Sequence, residues 1–96
     1  MAYIAVNYTY DATRPDEVAA GKPAHREFLR SLADEGVNVA SGPYTGEAPA
    51  ALIILKTDSP DSALALLEED PLWKDELIAE RVAHVWEPNI GVFAEA

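Results

Sequence analysis

Ala50-Ala-Leu-Ile-Ile-Leu-Lys56 is a nearly unbroken apolar run of strand length. A strand with one wet face alternates apolar and polar residues, so a run like this is expected of a central strand covered on at least one face. A second β-rich stretch opens the chain, Ala2-Tyr-Ile-Ala-Val-Asn-Tyr-Thr-Tyr10, with Ile4, Val6 and Tyr8 on one face. Val37 to Tyr44 reads as a short strand ending in a turn, and Thr45 to Pro49 as the loop into the apolar run. Arg81-Val-Ala-His-Val-Trp-Glu87 alternates as a last strand, with Val82, His84 and Trp86 sharing a face and Pro88 ending it.

Helical patterns fill the gaps. One spans Ala24 to Ala33 and extends back towards Pro15; Gly21 and Pro23 fit either one long kinked helix or two pieces. Gly36 is placed to close it in the left-handed conformation. After the apolar run, Ser59-Pro60 supplies an N-cap and a first helical residue, and Asp61 favours the helix dipole. That helix carries Ala63, Leu64, Leu66 and Leu67 and ends near Glu69; Asp70-Pro71 starts a second short helix the same way, through about Ile78. The order β-α-β-β-α-β predicts an α+β, ferredoxin-like domain over residues 1–96, with a four-stranded antiparallel sheet and helices on one face. The tail from Ile90 to Ala96 carries Ile90, Val92 and Phe93 and reads as a docking or exchanged segment.

Composition narrows the partners. The 96 residues are 49% apolar and contain no cysteine, so the core, or the core plus a second chain, must hold the fold. A domain of this size buries only about 60–65% of the surface its unfolded chain exposes. The helix-free sheet face would be bare in a monomer, which predicts a homodimer through that face. Seventeen acids against seven bases give a net charge of −10, a surface that repels nucleic acid and anionic membranes. The same charge disfavours anionic substrates at long range, although a local patch of Lys22, Arg26 and Arg30 could reverse this. No apolar run approaches the ~20 residues of a membrane helix, and no N-terminal run resembles a signal peptide, so the cytoplasm is the default expectation.

The chemistry centres on His25, in Lys22-Pro-Ala-His-Arg-Glu-Phe-Leu29, on the same helical stripe as Phe28, Leu29 and Leu32. An imidazole on an apolar face is either a packed residue satisfied by one hydrogen bond or a proton-transfer group. A carboxylate beside it would favour the second reading, because it fixes the tautomer and stabilises the imidazolium. Asp34 follows nine residues later, about half a turn round the helix from His25, and cannot serve within one chain. Asp70 can serve only if the fold brings it close; locally it is an ordinary N-cap before proline, and an N-cap carboxylate can accept a further hydrogen bond. Arg26 and Arg30 are expected to face solvent, useful only for a carboxylate substrate.

Ser41-Gly42-Pro43-Tyr44 is either a tight strand-end turn or a ligand contact, with Gly42 allowing close backbone approach and Ser41 or Tyr44 hydrogen-bonding; Ser41, Gly42 and Pro43 are the candidate substrate-binding residues. His84, Trp73 and Trp86 read as core or interface residues. There is no His-x-x-x-His and no acidic triplet at ligand spacing, and haem ligation by His25 or His84 has no specific support. No phosphate loop or dinucleotide fingerprint occurs, so no cofactor is expected.

Taken together, these pieces resemble the YciI-like (YCII-related) family of small bacterial proteins. The resemblance rests on the aromatic first strand, Pro23-Ala-His25 followed by Phe28-Leu29, Glu35-Gly36, Ala40-Ser-Gly-Pro43, the Leu52–Leu55 strand, Glu69-Asp-Pro71 and the closing stretch Val82 to Pro88. It implies a dimeric α+β barrel, two ferredoxin-like sheets packed face to face, and an active site built on a histidine–aspartate pair that maps to His25 and Asp70. Related folds include muconolactone-isomerase-like and dehydrochlorinase-like enzymes and cofactor-free oxygenases. The expected function is therefore acid/base chemistry on a small molecule, of isomerase or lyase type; the alternative is a non-catalytic metabolite-binding or structural dimer. The chain departs from longer members between Thr45 and Pro49, where Glu47-Ala-Pro49 stands in place of a Gly-Ser segment.

Overall fold

A computed structural model describes residues 1–46 and 49–94. Glu47 and Ala48, within the stretch expected to depart from longer family members, and Glu95 and Ala96 of the tail lie outside the described residues. The elements are β1 (Ala2–Tyr10), α1 (Pro15–Asp34), β2 (Asn38–Pro43), β3 (Ala50–Thr57), α2 (Pro60–Leu67), α3 (Pro71–Lys74) and β4 (Ile78–Trp86). The strands form one antiparallel sheet in the order β2-β3-β1-β4, the expected ferredoxin-like plan. None of the described helices is long and apolar enough to cross a membrane.

The core lies between the sheet and the helices. Ile4, Val6 and Tyr8 of β1 face the helices as their alternation requires, beside Ile53, Leu55 and Ala51 of β3, and all are buried. Val82, His84 and Trp86 pair with Asn7, Ala5 and Tyr3 and therefore lie on the opposite, helix-free face. His84 is exposed there and is not a core residue. In the tail, the Phe93 ring lies 6.0 Å from those of both Tyr3 and Trp86, whereas Ile90 and Val92 are almost fully exposed.

α1 is one continuous helix of 20 residues despite Gly21 and Pro23. Pro23 cannot donate to the carbonyl of Ala19, but both residues are exposed, so water can satisfy that oxygen. The helix closes on Gly36 at φ 79, with Gly36 N–H donating to the Ala33 carbonyl and Val37 N–H to that of Leu32. Those two bonds define a Schellman cap. Ser59 caps α2 as expected, in a reciprocal box with Ser62.

The segment after Asp70 corrects one expectation. α3 stops at Lys74, not near Ile78, and β4 begins at Ile78, three residues before Arg81. The cause is a second Schellman cap: Leu77 N–H donates to the Leu72 carbonyl and Glu76 N–H to that of Trp73, with Glu76 at φ 59. Glutamate gives no sequence signal for a left-handed cap, so the stop is not legible in the pattern.

Candidate functional site

The fold carries Asp70 to His25. Asp70 caps α3, its Oδ1 accepting the backbone N–H of Leu72 at 3.0 Å. Its Oδ2 accepts the Tyr8 hydroxyl at 3.1 Å and lies 2.7 Å from His25 Nδ1. The capping role and the contact with histidine thus coexist on one carboxylate. Asp70 is fully buried and His25 is 6% exposed.

The donors around Asp70 determine the imidazole's state. A backbone N–H and a hydroxyl both point at the carboxyl, so it is used as an acceptor throughout. Nδ1 of His25 then carries a proton and donates, and in the neutral ring Nε2 holds the free lone pair. Among the described residues no hydrogen bond reaches Nε2.

Two tyrosines frame the pair, with the Tyr8 and Tyr10 rings 6.2 and 6.5 Å from that of His25. Burial, reinforced by the Asp70 carboxylate, holds both phenols above their ordinary value of 10. Both therefore stay protonated at neutral pH, and Tyr8 remains a donor to Asp70. The Leu72 side chain of α3 packs over Gly21, one turn before His25: a β-carbon there would stand 2.6 Å from Leu72 Cδ2.

His25 lines a cavity of about 350 Å³ between α1 and β2, and Asp70 sits behind it, outside the cavity wall. Ser41, Gly42 and Pro43 all line this cavity. They belong to the edge strand β2 and not to a turn, which corrects the strand-end reading. Pro43 is tolerated because an edge strand has a side that needs no N–H donor. A second cavity of about 510 Å³ shares Tyr10, Lys22 and Pro43 with the first.

Three further groups complete the site: the basic patch named from the sequence, Tyr8, and Asn38, which carried no sequence signal. Lys22, Arg26 and Arg30 line the cavity, although Arg26 and Arg30 are also exposed, as the helical pattern required. Tyr8 supplies the second donor to Asp70; its place on the buried face of β1 was legible, and a buried phenol hydroxyl generally has a partner. Asn38 lines the cavity at the start of β2. The register of β2 on β3 shifts between Asn38 and Ala40, so Asn38 and Ser41, three residues apart, both turn to the helix side. Asn38 Nδ2 donates to Ser41 Oγ at 3.0 Å and to the Leu29 carbonyl at 3.1 Å. Among the described residues no group of three or more histidine and acidic side chains gathers to hold a metal ion.

Comparison with known proteins agrees with this architecture. A family model described as the YCII-related domain matches residues 1–87, so the chain belongs to the YCII-related family. No curated protein matches the sequence. Among solved structures, the chain is similar to 5-chloro-2-hydroxyhydroquinone dehydrochlorinase from Burkholderia phenoliruptrix in complex with 2,5-dihydroxybenzoquinone. The TM-score is 0.71 at 22% identity, covering 88% of this chain and 93% of the dehydrochlorinase. At that identity the match establishes the fold.

Proposed function

We propose that this protein is a cofactor-independent acid/base enzyme acting on a small organic molecule, with His25 as the proton-transfer group and Asp70 as the residue that orients it. One observation carries the reading: a buried carboxylate holds Nδ1 of a histidine at 2.7 Å while that histidine lines a cavity of ligand size. Nε2 takes a proton from an acidic position of the substrate, and the imidazolium is stabilised by the Asp70 carboxylate. Returning the proton to another atom of the substrate gives an isomerisation. Loss of an anionic leaving group, with release of the proton to solvent, gives an elimination. Ser41, Gly42 and Pro43 form the facing wall that holds the substrate. The fold shared with a dehydrochlorinase is compatible with the second outcome.

Turnover of activated hydroxylated or carboxylated small molecules tests this. Positioned acid/base catalysis contributes roughly 10²–10⁴-fold, so His25→Ala should reduce turnover by about that factor in a protein that remains folded. Unchanged turnover would contradict the role.

A second reading is favoured by the completeness of the Tyr8–Asp70–His25 network, which also suits a non-catalytic binding module. In that case no turnover would be found, and His25→Ala would cost roughly 1.5–3 kcal/mol of stability, as expected for losing a buried hydrogen bond to a carboxylate.

The working unit in this proposal is a homodimer through the helix-free sheet face. Its support is the exposure on that face of Val82 and Trp86 of β4, with Leu52 of β3 half-buried on the same side of the sheet. Sedimentation at micromolar concentration should show a dimer, and a monomer alone would contradict this part.

A further inference from the structure

The charge around the His25 cavity runs against the charge of the whole chain. Seventeen acids and seven bases give a net charge of −10, yet Lys22, Arg26 and Arg30 all line this one cavity, and no aspartate or glutamate among the described residues does. The three bases recur at four-residue spacing along α1, the spacing that stacks side chains on one helix face.

Their partners set them apart from bases elsewhere. Arg14 pairs with Glu17, and Lys74 with Glu69 at 2.8 Å. Arg81 lies 3.5 Å over the Trp73 ring and donates to the Leu64 carbonyl. Lys22 is half-buried, 4.8 Å from the centre of the Tyr10 ring, and Arg26 is exposed; neither meets a carboxylate among the described residues. Arg30 reaches Glu27 only at 3.6 Å, with both side chains exposed, and such a pair holds its charges weakly. The Arg26 charge is felt at the cavity wall: burial first and Asp70 second raise the Tyr10 phenol, and Arg26 opposes them. Across the cavity, Ser41 Oγ accepts from Asn38 Nδ2 at 3.0 Å, so the exposed serine keeps its own proton for an oxygen that enters.

We infer that the His25 cavity takes a small organic anion, whose carboxylate is held by Arg26 and Lys22. This rests on the proposal that the cavity binds a small molecule, and it names that molecule's charge and class. Like charges four residues apart on a helix repel, and an anion between them relieves the repulsion. A carboxylate matches both the fork of a guanidinium and the point charge of an ammonium. Repulsion from acids elsewhere on the chain is screened beyond about 8 Å at physiological ionic strength, whereas contacts inside the cavity are not. At about 350 Å³ the cavity is near the lower end for ligand sites, which suits a ligand of single-ring size.

Three probes of nearly the same shape isolate the charge: benzoate, benzamide and benzamidine, which are anionic, neutral and cationic at neutral pH. Titration followed by proton–nitrogen correlation NMR reads affinity and place together. Benzoate should bind about tenfold more tightly than benzamide, and benzamidine most weakly, with shifts centred on His25, Ser41 and Gly42. The net charge of the chain alone gives the reverse order. Arg26→Gln and Lys22→Gln, at side chains outside the core, should each reduce the preference for benzoate, and the double variant should abolish it. Lys74→Gln, at a base outside the cavity wall, should leave it intact. Equal binding of benzoate and benzamide, tighter binding of benzamidine, shifts centred elsewhere, a preference that survives the double substitution, or no binding of any probe at millimolar concentration would overturn the inference. His25→Gln should keep the preference and lose turnover. Retained turnover in that variant removes the acid/base role and leaves the anion site standing; equal binding of the probes removes the anion site and leaves the acid/base role.

Discussion

Gly21 and Leu72 meet across the contact between α1 and α3 so closely that a β-carbon on residue 21 would stand 2.6 Å from Leu72 Cδ2. His25 follows one turn later on the same face of α1, and Asp70 begins the helix that carries Leu72. The absent side chain at residue 21 leaves the room that the Leu72 side chain fills, one turn from His25.

Gly21→Ala places two effects in opposition. Alanine in a helix interior gains about 1 kcal/mol over glycine. Overpacking a filled core costs typically ~1–3 kcal/mol, and Leu72, whose side-chain tip would have to shift, is fully buried. The expected result is a lower thermal midpoint. A higher midpoint would show that Leu72 yields freely and that the helix contact is looser than described.

Alkaline pH should weaken the fold through the two buried phenols. Tyr8 and Tyr10 are held above 10 in the folded protein, by burial first and the Asp70 carboxylate second. Below pH 10 both states keep these protons, and the stabilising contribution is fully present. Above it the unfolded chain loses protons first, so stability falls as the pH rises through the elevated folded values. Urea unfolding across that range should show the fall, and Tyr8→Phe should flatten it while costing about 1–2 kcal/mol at neutral pH through the lost bond to Asp70. An unaltered slope in Tyr8→Phe would place the effect elsewhere.

Glu76 occupies a left-handed conformation, at φ 59, that suits glycine. Its α3 cap has the same hydrogen-bond pattern as the α1 cap, where Gly36 fills the equivalent place. Relieving the strain is worth roughly 1–2 kcal/mol, offset in part by the unfolded-state entropy of glycine. Glu76→Gly should therefore raise the urea midpoint slightly. A decrease would mean that the glutamate side chain contributes more than its backbone costs.

Much of this architecture was legible because period and punctuation agree. The alternation of Ile4, Val6 and Tyr8, the apolar run from Ala50 and the Ser59-Pro60 start each carry their own physical reason, and each element lies where that reason puts it. What was not legible depends on groups distant in sequence. The end of α3 at a left-handed glutamate and the bulge that turns Asn38 towards Ser41 leave no local pattern. The proximity of His25 and Asp70, 45 residues apart, was the least local expectation of all, and it came through family resemblance. Spacing alone could only exclude Asp34, which is indeed exposed on the other side of α1.

The account's central claim is that Asp70 holds His25 with Nδ1 protonated, leaving Nε2 as the base that faces the cavity. Long-range proton–nitrogen NMR of the His25 ring at mildly alkaline pH measures this directly. The Nδ1–H tautomer is expected, with an Nε2 resonance that shifts when a small molecule enters the cavity, and Asp70→Asn should disturb the tautomer. An Nε2–H tautomer, or an Nε2 resonance indifferent to everything that enters the cavity, would contradict it.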